Sequence, residues 1–270
     1  MDWLGLENKV VLVTGAASGI GKAVSEGLLE SGANVIACDI NKEKPEFNFE
    51  NEKNLLYKVC DVTSRKDVKE AIADGVKKFG SLDAIVNNAG INIPRLLVDP
   101  KKEESEFELD DKVFDKVVDI NLKGLFYCSQ EAAKIFVKQK SGVIINMSSE
   151  SGLEGSEGQS IYAATKNAVN SFTRSWSKEL GKYGVRVVGV APGILEATGL
   201  RTLSYETALA YTRSISVDDL RKGYSSTKTT PLGRSGKLSE VANLVCFLAS
   251  DRSSYIHGVT INVAGGKTRG

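Results

Sequence analysis

Tyr162 and Lys166 stand four residues apart in the run Tyr-Ala-Ala-Thr-Lys. On a helix this spacing sets two side chains on one face, with Cβ atoms about 5–6 Å apart. A phenol is a poor base near neutrality, but a neighbouring ammonium favours the phenolate and draws its pKa down. The pair therefore has the makings of a proton donor and acceptor. Taken alone it is common, and a solvated helix face would explain it equally well. Ser149 lies 13 residues before Tyr162, just past an apolar run, where its hydroxyl could face the same reacting oxygen. Asn121 is an awkward amide among Val118, Ile120 and Leu122 in a helical pattern. A solvent-facing side chain is its ordinary explanation. The four together are far more specific than any one of them.

A second cluster could hold a phosphate. Val10-Val11-Leu12-Val13 runs into Thr14-Gly15-Ala16-Ala17-Ser18-Gly19-Ile20-Gly21, and a helical stripe of Ile20, Val24 and Leu28 follows. A strand, a glycine turn and a helix N-terminus place backbone N–H groups and the positive end of a dipole against a pyrophosphate. Gly15 permits the turn, Gly19 the close approach and Gly21 the packing of helix on strand. Asp39 follows Gly15 by 24 residues at the end of the next apolar run. A carboxylate there accepts from ribose hydroxyls and repels a 2′-phosphate, which favours NAD over NADP.

These residues need a frame. Buried strands are expected at 10–13, 34–38, 55–62, 82–86, 143–147, 185–190 and 259–263. Helical patterns alternate with them, including one long helix from about Val113 to Lys140 and one capped by Ser239 ahead of Val241, Val245 and Leu248. The alternation predicts a single-domain α/β fold, a Rossmann-type doubly wound parallel sheet of seven strands flanked by helices. Two irregular insertions, 92–110 and 194–230, follow strand ends and would border the ligand crevice.

Composition narrows the partners. The 270 residues carry 35 basic and 34 acidic side chains, for a net charge of +1, so a generic nucleic-acid binder is not expected. Hydrophobic residues make up 41%, enough for a sizeable core. No secretory leader and no apolar run of about 18 residues stand out, so a cytoplasmic protein without a membrane span is expected. Cys38, Cys60, Cys128 and Cys246 are widely spaced in apolar patterns and read as buried thiols. His257, the lone histidine, reads as structural.

From Thr14-Gly15 through Asn88-Ala89-Gly90 and Tyr162-x-x-x-Lys166 to the closing Gly265-Gly266, the chain resembles the short-chain dehydrogenase/reductase family. The resemblance implies direct hydride transfer with NAD and no metal. Tyr162 would be the general acid/base and Lys166 would lower its pKa and hold ribose hydroxyls. Ser149 would bond the reacting oxygen, and Asn121 would support a proton relay. It further implies cofactor contacts at Ser18, Ile20, Asp61, Val62, Asn88, Ala89, Gly90, Pro192, Gly193 and Ile194. Thr198 lies one residue later than the threonine of many members, so no contact is carried to it.

The stretch from Ser148 to Ser160, that from Ser171 to Gly184 and the tail Ala264–Gly270 are similar to hexitol-phosphate-oxidising members. This implies oxidation of D-sorbitol 6-phosphate to D-fructose 6-phosphate in hexitol catabolism, by a homotetramer or dimer. Ser151 and Glu154 would then join Ser149 and Tyr162 around the substrate. Cations must hold its phosphate. Arg95 and Arg269 are the expected clamp, with Arg201 and Lys267 as further candidates. A polyol dehydrogenase acting without the phosphate, a 3-oxoacyl reductase and a non-catalytic dinucleotide sensor stay open as alternatives.

Overall fold

The computed structural model describes residues 3–49 and 52–268. Seven strands form one parallel sheet: β1 (Val10–Thr14), β2 (Asn34–Asp39), β3 (Leu55–Val59), β4 (Ala84–Asn87), β5 (Gly142–Met147), β6 (Val185–Pro192) and β7 (Thr260–Val263). Their order is β3-β2-β1-β4-β5-β6-β7, so the direction of winding reverses between β1 and β4. In such a sheet the crevice outside the carboxyl ends at this switch is where a ligand sits.

Alternation along the strands explains the two-sided core. Val11, Val13, Val35 and Val86 face one way, onto α1 (Gly19–Glu30) and α9 (Leu238–Ala249). Val10, Leu12, Ile36 and Ile85 face the other way, onto α2 (Arg65–Phe79) and α4 (Leu125–Gln139). The third helix on that face is α6 (Ser160–Leu180), through Trp176 and Leu180. All four cysteines are buried and none forms a disulfide among the described residues. His257 ties β6 to α6: its Nδ1 accepts from the Val187 N–H at 3.0 Å, and its Nε2 donates to the Ser177 carbonyl at 2.8 Å.

Four expectations change. The long helix from 113 to 140 is broken: α3 (Asp111–Val118) passes through a π-helical segment, Asp119–Gly124, before α4 begins. Gly124 touches Val62 there, and a Cβ at this position would lie 2.7 Å from a Val62 methyl carbon. The third strand ends at Val59 rather than at 62. Ser239 does not cap α9; the helix starts one residue earlier, and the Glu240 carboxylate accepts from the Lys237 N–H at 2.7 Å. The 194–230 insertion is largely ordered as α7 (Leu203–Thr212) and α8 (Val217–Gly223). Thr202 and Ser216 cap these helices, accepting from the N–H groups of Tyr205 and Asp219. No helix among the described residues is long and apolar enough to cross a membrane.

Candidate active site

A cleft of about 860 Å³ opens at the carboxyl edge of the sheet, within the range of small-molecule sites. Its floor is the glycine turn. Gly15 and Gly19 hold φ of +65° and +55°, a region costly for other residues, and a Cβ on Gly21 would collide with the Gly15 carbonyl. Asn88 braces the turn, donating through Nδ2 to the carbonyls of Thr14 and Gly15 at 3.0 and 3.1 Å. Ser18, at the N-cap of α1, makes no side-chain cap bond, and the first turn carries no acid. This end of α1 thus offers donors and a positive dipole to an anion.

Asp39 closes one wall of the cleft. Its carboxylate accepts from the N–H groups of Ala17 at 2.9 Å and Asn41 at 3.0 Å, which fixes it at the cleft wall. The arrangement suits a dinucleotide whose ribose carries free hydroxyls. Asp61 lines the same wall from a tight turn, accepting from the Thr63 N–H and hydroxyl at 2.8 Å each. Val62, Ala89, Gly90, Pro192, Gly193 and Ile194 complete the lining that the resemblance implied. Thr198, left out of that set, also lies in the cleft, with its side chain 3.2 Å from where a Gly19 Cβ would be.

Ser149, Tyr162 and Lys166 line the cleft, and Asn121 is buried beside Lys166 at Gly90. Asn121 is buried because the π-helical segment turns it inward, not out to solvent. Its Oδ1 accepts from the Ile91 N–H at 2.9 Å, and its Nδ2 donates to the Ile91 carbonyl and to Thr165 Oγ1. A Cβ on Gly90 would lie 3.2 Å from Asn121 Oδ1 and 3.5 Å from Lys166 Nζ, so glycine allows both to meet there. Lys166 Nζ donates to the Met147 carbonyl at 2.8 Å and lies 5.6 Å from the centre of the Tyr162 ring. Ser149 Oγ accepts from the Ser151 N–H at 3.2 Å, where the short helix α5 (Ser151–Glu154) begins.

Burial dominates the electrostatics of the pair. Burial pushes the Tyr162 phenol above its ordinary 10, the Ser149 hydroxyl draws it back and the Glu150 carboxylate adds to the rise. Lys166, only 5% exposed, has its own pKa pushed down by burial to about 8.

The substrate side also departs from the sequence reading. Arg95 does not line the cleft: its guanidinium donates to the Pro94 carbonyl at 2.8 Å and lies 6.0 Å from the Phe107 ring centre. Arg269 lies outside the described residues. Glu154 is exposed and off the cleft, whereas Ser151 lines it. The tail is tied down at Lys267, whose Nζ pairs with the Glu150 carboxylate, while Thr268 donates to the other carboxylate oxygen at 3.3 Å. Glu150, Gln159, Tyr205, Arg213 and Tyr224 line the cleft unforeseen. Gln159 Nε2 donates to the Tyr205 hydroxyl at 2.8 Å, a pairing across 46 residues that no local pattern announces.

Residues 9–208 match the short chain dehydrogenase family. A sorbitol-6-phosphate 2-dehydrogenase of Klebsiella pneumoniae is 57% identical over 268 residues, which cover 99% of each chain. A 3-oxoacyl-[acyl-carrier-protein] reductase of Thermotoga maritima is 41% identical over 97% of this chain and 98% of that protein. Among solved structures, a 3-ketoacyl-(acyl-carrier-protein) reductase from Brucella melitensis complexed with NADH superposes with a TM-score of 0.80 at 27% identity, covering 98% of this chain and 100% of that one. The chain belongs to the short-chain dehydrogenase family and is an oxidoreductase of that family.

Proposed function

We propose that this short-chain dehydrogenase oxidises D-sorbitol 6-phosphate at C2 to D-fructose 6-phosphate with NAD. The observation that carries the substrate is the full-length 57% identity to the Klebsiella pneumoniae enzyme. The residues present fit the cofactor: the uncapped N-terminus of α1 suits its pyrophosphate, and the fixed Asp39 carboxylate suits a ribose without phosphate. NAD supplies the hydride acceptor.

The chain supplies the proton chemistry. Ser149 donates a hydrogen bond to the C2 oxygen and holds it against Tyr162. The Tyr162 phenolate takes the C2 hydroxyl proton as the carbonyl forms, and the phenol returns it in the reverse direction. Lys166, when charged, favours the phenolate. Asn121 holds the 91 backbone and Thr165 in register behind this pair. Burial of the whole group excludes water and strengthens each of these interactions.

A second reading, 3-oxoacyl reduction, is favoured by the 41% identity to the Thermotoga maritima reductase. The Asp39 carboxylate weighs against an NADP-dependent form of it. A panel of sorbitol, sorbitol 6-phosphate and a 3-oxoacyl thioester, each with NAD(H) and NADP(H), tests the proposal. The expected outcome is the highest kcat/KM for sorbitol 6-phosphate with NAD, and a higher value for the thioester would refute it. A homotetramer in the cytoplasm belongs to the same reading, and light scattering on the purified protein checks the assembly.

A further inference from the structure

The geometry points to Arg201 and Arg213, which line the cleft with Tyr224, as the site that holds the phosphate of the substrate. This rests on the hexitol-phosphate reading above and replaces the pair Arg95 and Arg269. Both arginines line the cleft, as do Tyr205 and Tyr224. The Arg201 guanidinium lies 3.9 Å from the Tyr224 ring centre and donates to the Leu195 carbonyl. Arg213 donates to Ser156 Oγ at 3.0 Å and to the Glu157 carbonyl at 3.4 Å. A guanidinium has five N–H donors, so these contacts orient each fork and leave donors over.

Charge separates these two from their neighbours. Arg221 and Arg234, on the same side of the molecule, are paired with Glu206 and Glu240 at 2.6 Å. Lys267 is paired with Glu150. Arg201 and Arg213 make no ion pair with a carboxylate among the described residues, so their charge is free for an anion. The Tyr224 hydroxyl is buried without a hydrogen-bond partner among the described residues, so it can take one from a ligand oxygen in the cleft. Burial raises both the Tyr224 and Tyr205 phenols. Tyr205, held through its hydroxyl by Gln159, lines the same cleft as Tyr162 and the two arginines. A substrate with its reacting carbon at Tyr162 and a dianion at its far end spans this arrangement, and bidentate arginine is suited to phosphate.

The test compares kcat/KM for sorbitol 6-phosphate and sorbitol, with NAD, in the parent, Arg201→Gln, Arg213→Gln, Arg213→Lys and Tyr224→Phe. The expected result is a fall of about tenfold to a hundredfold in the phosphorylated-to-plain ratio for each glutamine variant, carried by KM. Arg213→Lys recovers part of it, and Tyr224→Phe loses less because only the hydroxyl goes. Inorganic phosphate should inhibit the parent competitively against sorbitol, and the glutamine variants more weakly. Equal loss on both substrates marks a structural role and overturns the clamp alone, as does an unchanged ratio. A parent that rejects sorbitol 6-phosphate overturns the substrate reading, and the clamp with it.

Discussion

Lys166→Met isolates the energetic cost of holding a cation beneath the cleft. Burial pushes the pKa of Lys166 from an ordinary 10.5 to about 8 in the folded chain. The sign follows from proton counting: between these values the unfolded chain binds more protons, so stability rises with pH. At pH 7 both states are protonated, and the burial cost stands at about 3 kcal/mol. By pH 9.5 the folded chain has shed the proton while most unfolded chains keep it, which recovers about 2 kcal/mol. Methionine keeps the length and carries no charge, so it has no such slope. It also strips a donor from the Met147 carbonyl, a loss of about 1–3 kcal/mol that does not vary with pH. The raised thiols of Cys38 and Cys128 and the raised Tyr162 pull the other way above pH 9, but they are common to both proteins and largely cancel. Urea denaturation at pH 7 and 9.5, at one protein concentration, gives the difference in unfolding free energy between parent and variant. That difference should move toward the parent by about 2 kcal/mol across the interval. Parallel behaviour, within about 0.5 kcal/mol, would refute the picture of a costly buried ammonium.

Tyr162→Phe keeps the ring and removes the proton carrier, so turnover should fall by about 10²–10⁴-fold while NAD binding by fluorescence titration persists. Asp39→Asn keeps an acceptor for the Ala17 N–H and removes the charge that would repel a 2′-phosphate. The kcat/KM ratio of NAD to NADP should drop by at least about tenfold, or about 1.4 kcal/mol; an unchanged ratio would mean that Asp39 does not discriminate the ribose. Lys267→Met leaves the Glu150 carboxylate, with only 10% of its side chain exposed, without its cation. Partial exposure of the lysine reduces the cost of a broken buried pair to about 1–3 kcal/mol, which thermal unfolding would register as a lower Tm.

The strands were legible because a parallel sheet covered on both faces writes continuous apolar runs, as at Val10–Val13 and Val143–Ile145. The glycine turn and the Tyr162–Lys166 pair were legible because their chemistry is local, set by a turn and by one helical repeat. What escaped was set by distant contacts. The π-helical segment answers to Val62 against Gly124 and to Ile91 against Asn121, neither of which is near in sequence. The helix α7 buries residues 208–210 consecutively, so it shows no apolar stripe of helical period. Its start could have been found from Thr202, and that of α8 from the Ser216-x-x-Asp219 cap. Arg213 carried no signal at all: among 35 basic residues, only the fold shows which ones lack a carboxylate.

Ser149 and Lys166 rest on different elements from Arg201, Tyr205, Arg213 and Tyr224. Ser149 and Lys166 stand over a buried amide network beneath the sheet ends. Asn87 Nδ2 donates to Ser129 Oγ and Asn146 Oδ1, and Asn146 Nδ2 donates to Thr173 Oγ1. Such a network has one low-energy arrangement, so it locks β4, β5, α4 and α6 together and holds the reacting geometry from below. Arg201, Tyr205, Arg213 and Tyr224 instead ride on α7, α8 and their joining segments, which form a small apolar cluster of their own around Leu209 and Leu220. That cluster meets the rest of the chain through side chains such as Gln159 to Tyr205 and Lys101 to Ser214. Contacts of this kind can be exchanged without disturbing the sheet. A chain built in this way can keep its proton chemistry on one set of elements while substrate contacts vary on another. Relatives at 57% and 41% identity can therefore carry different substrate names over the same frame.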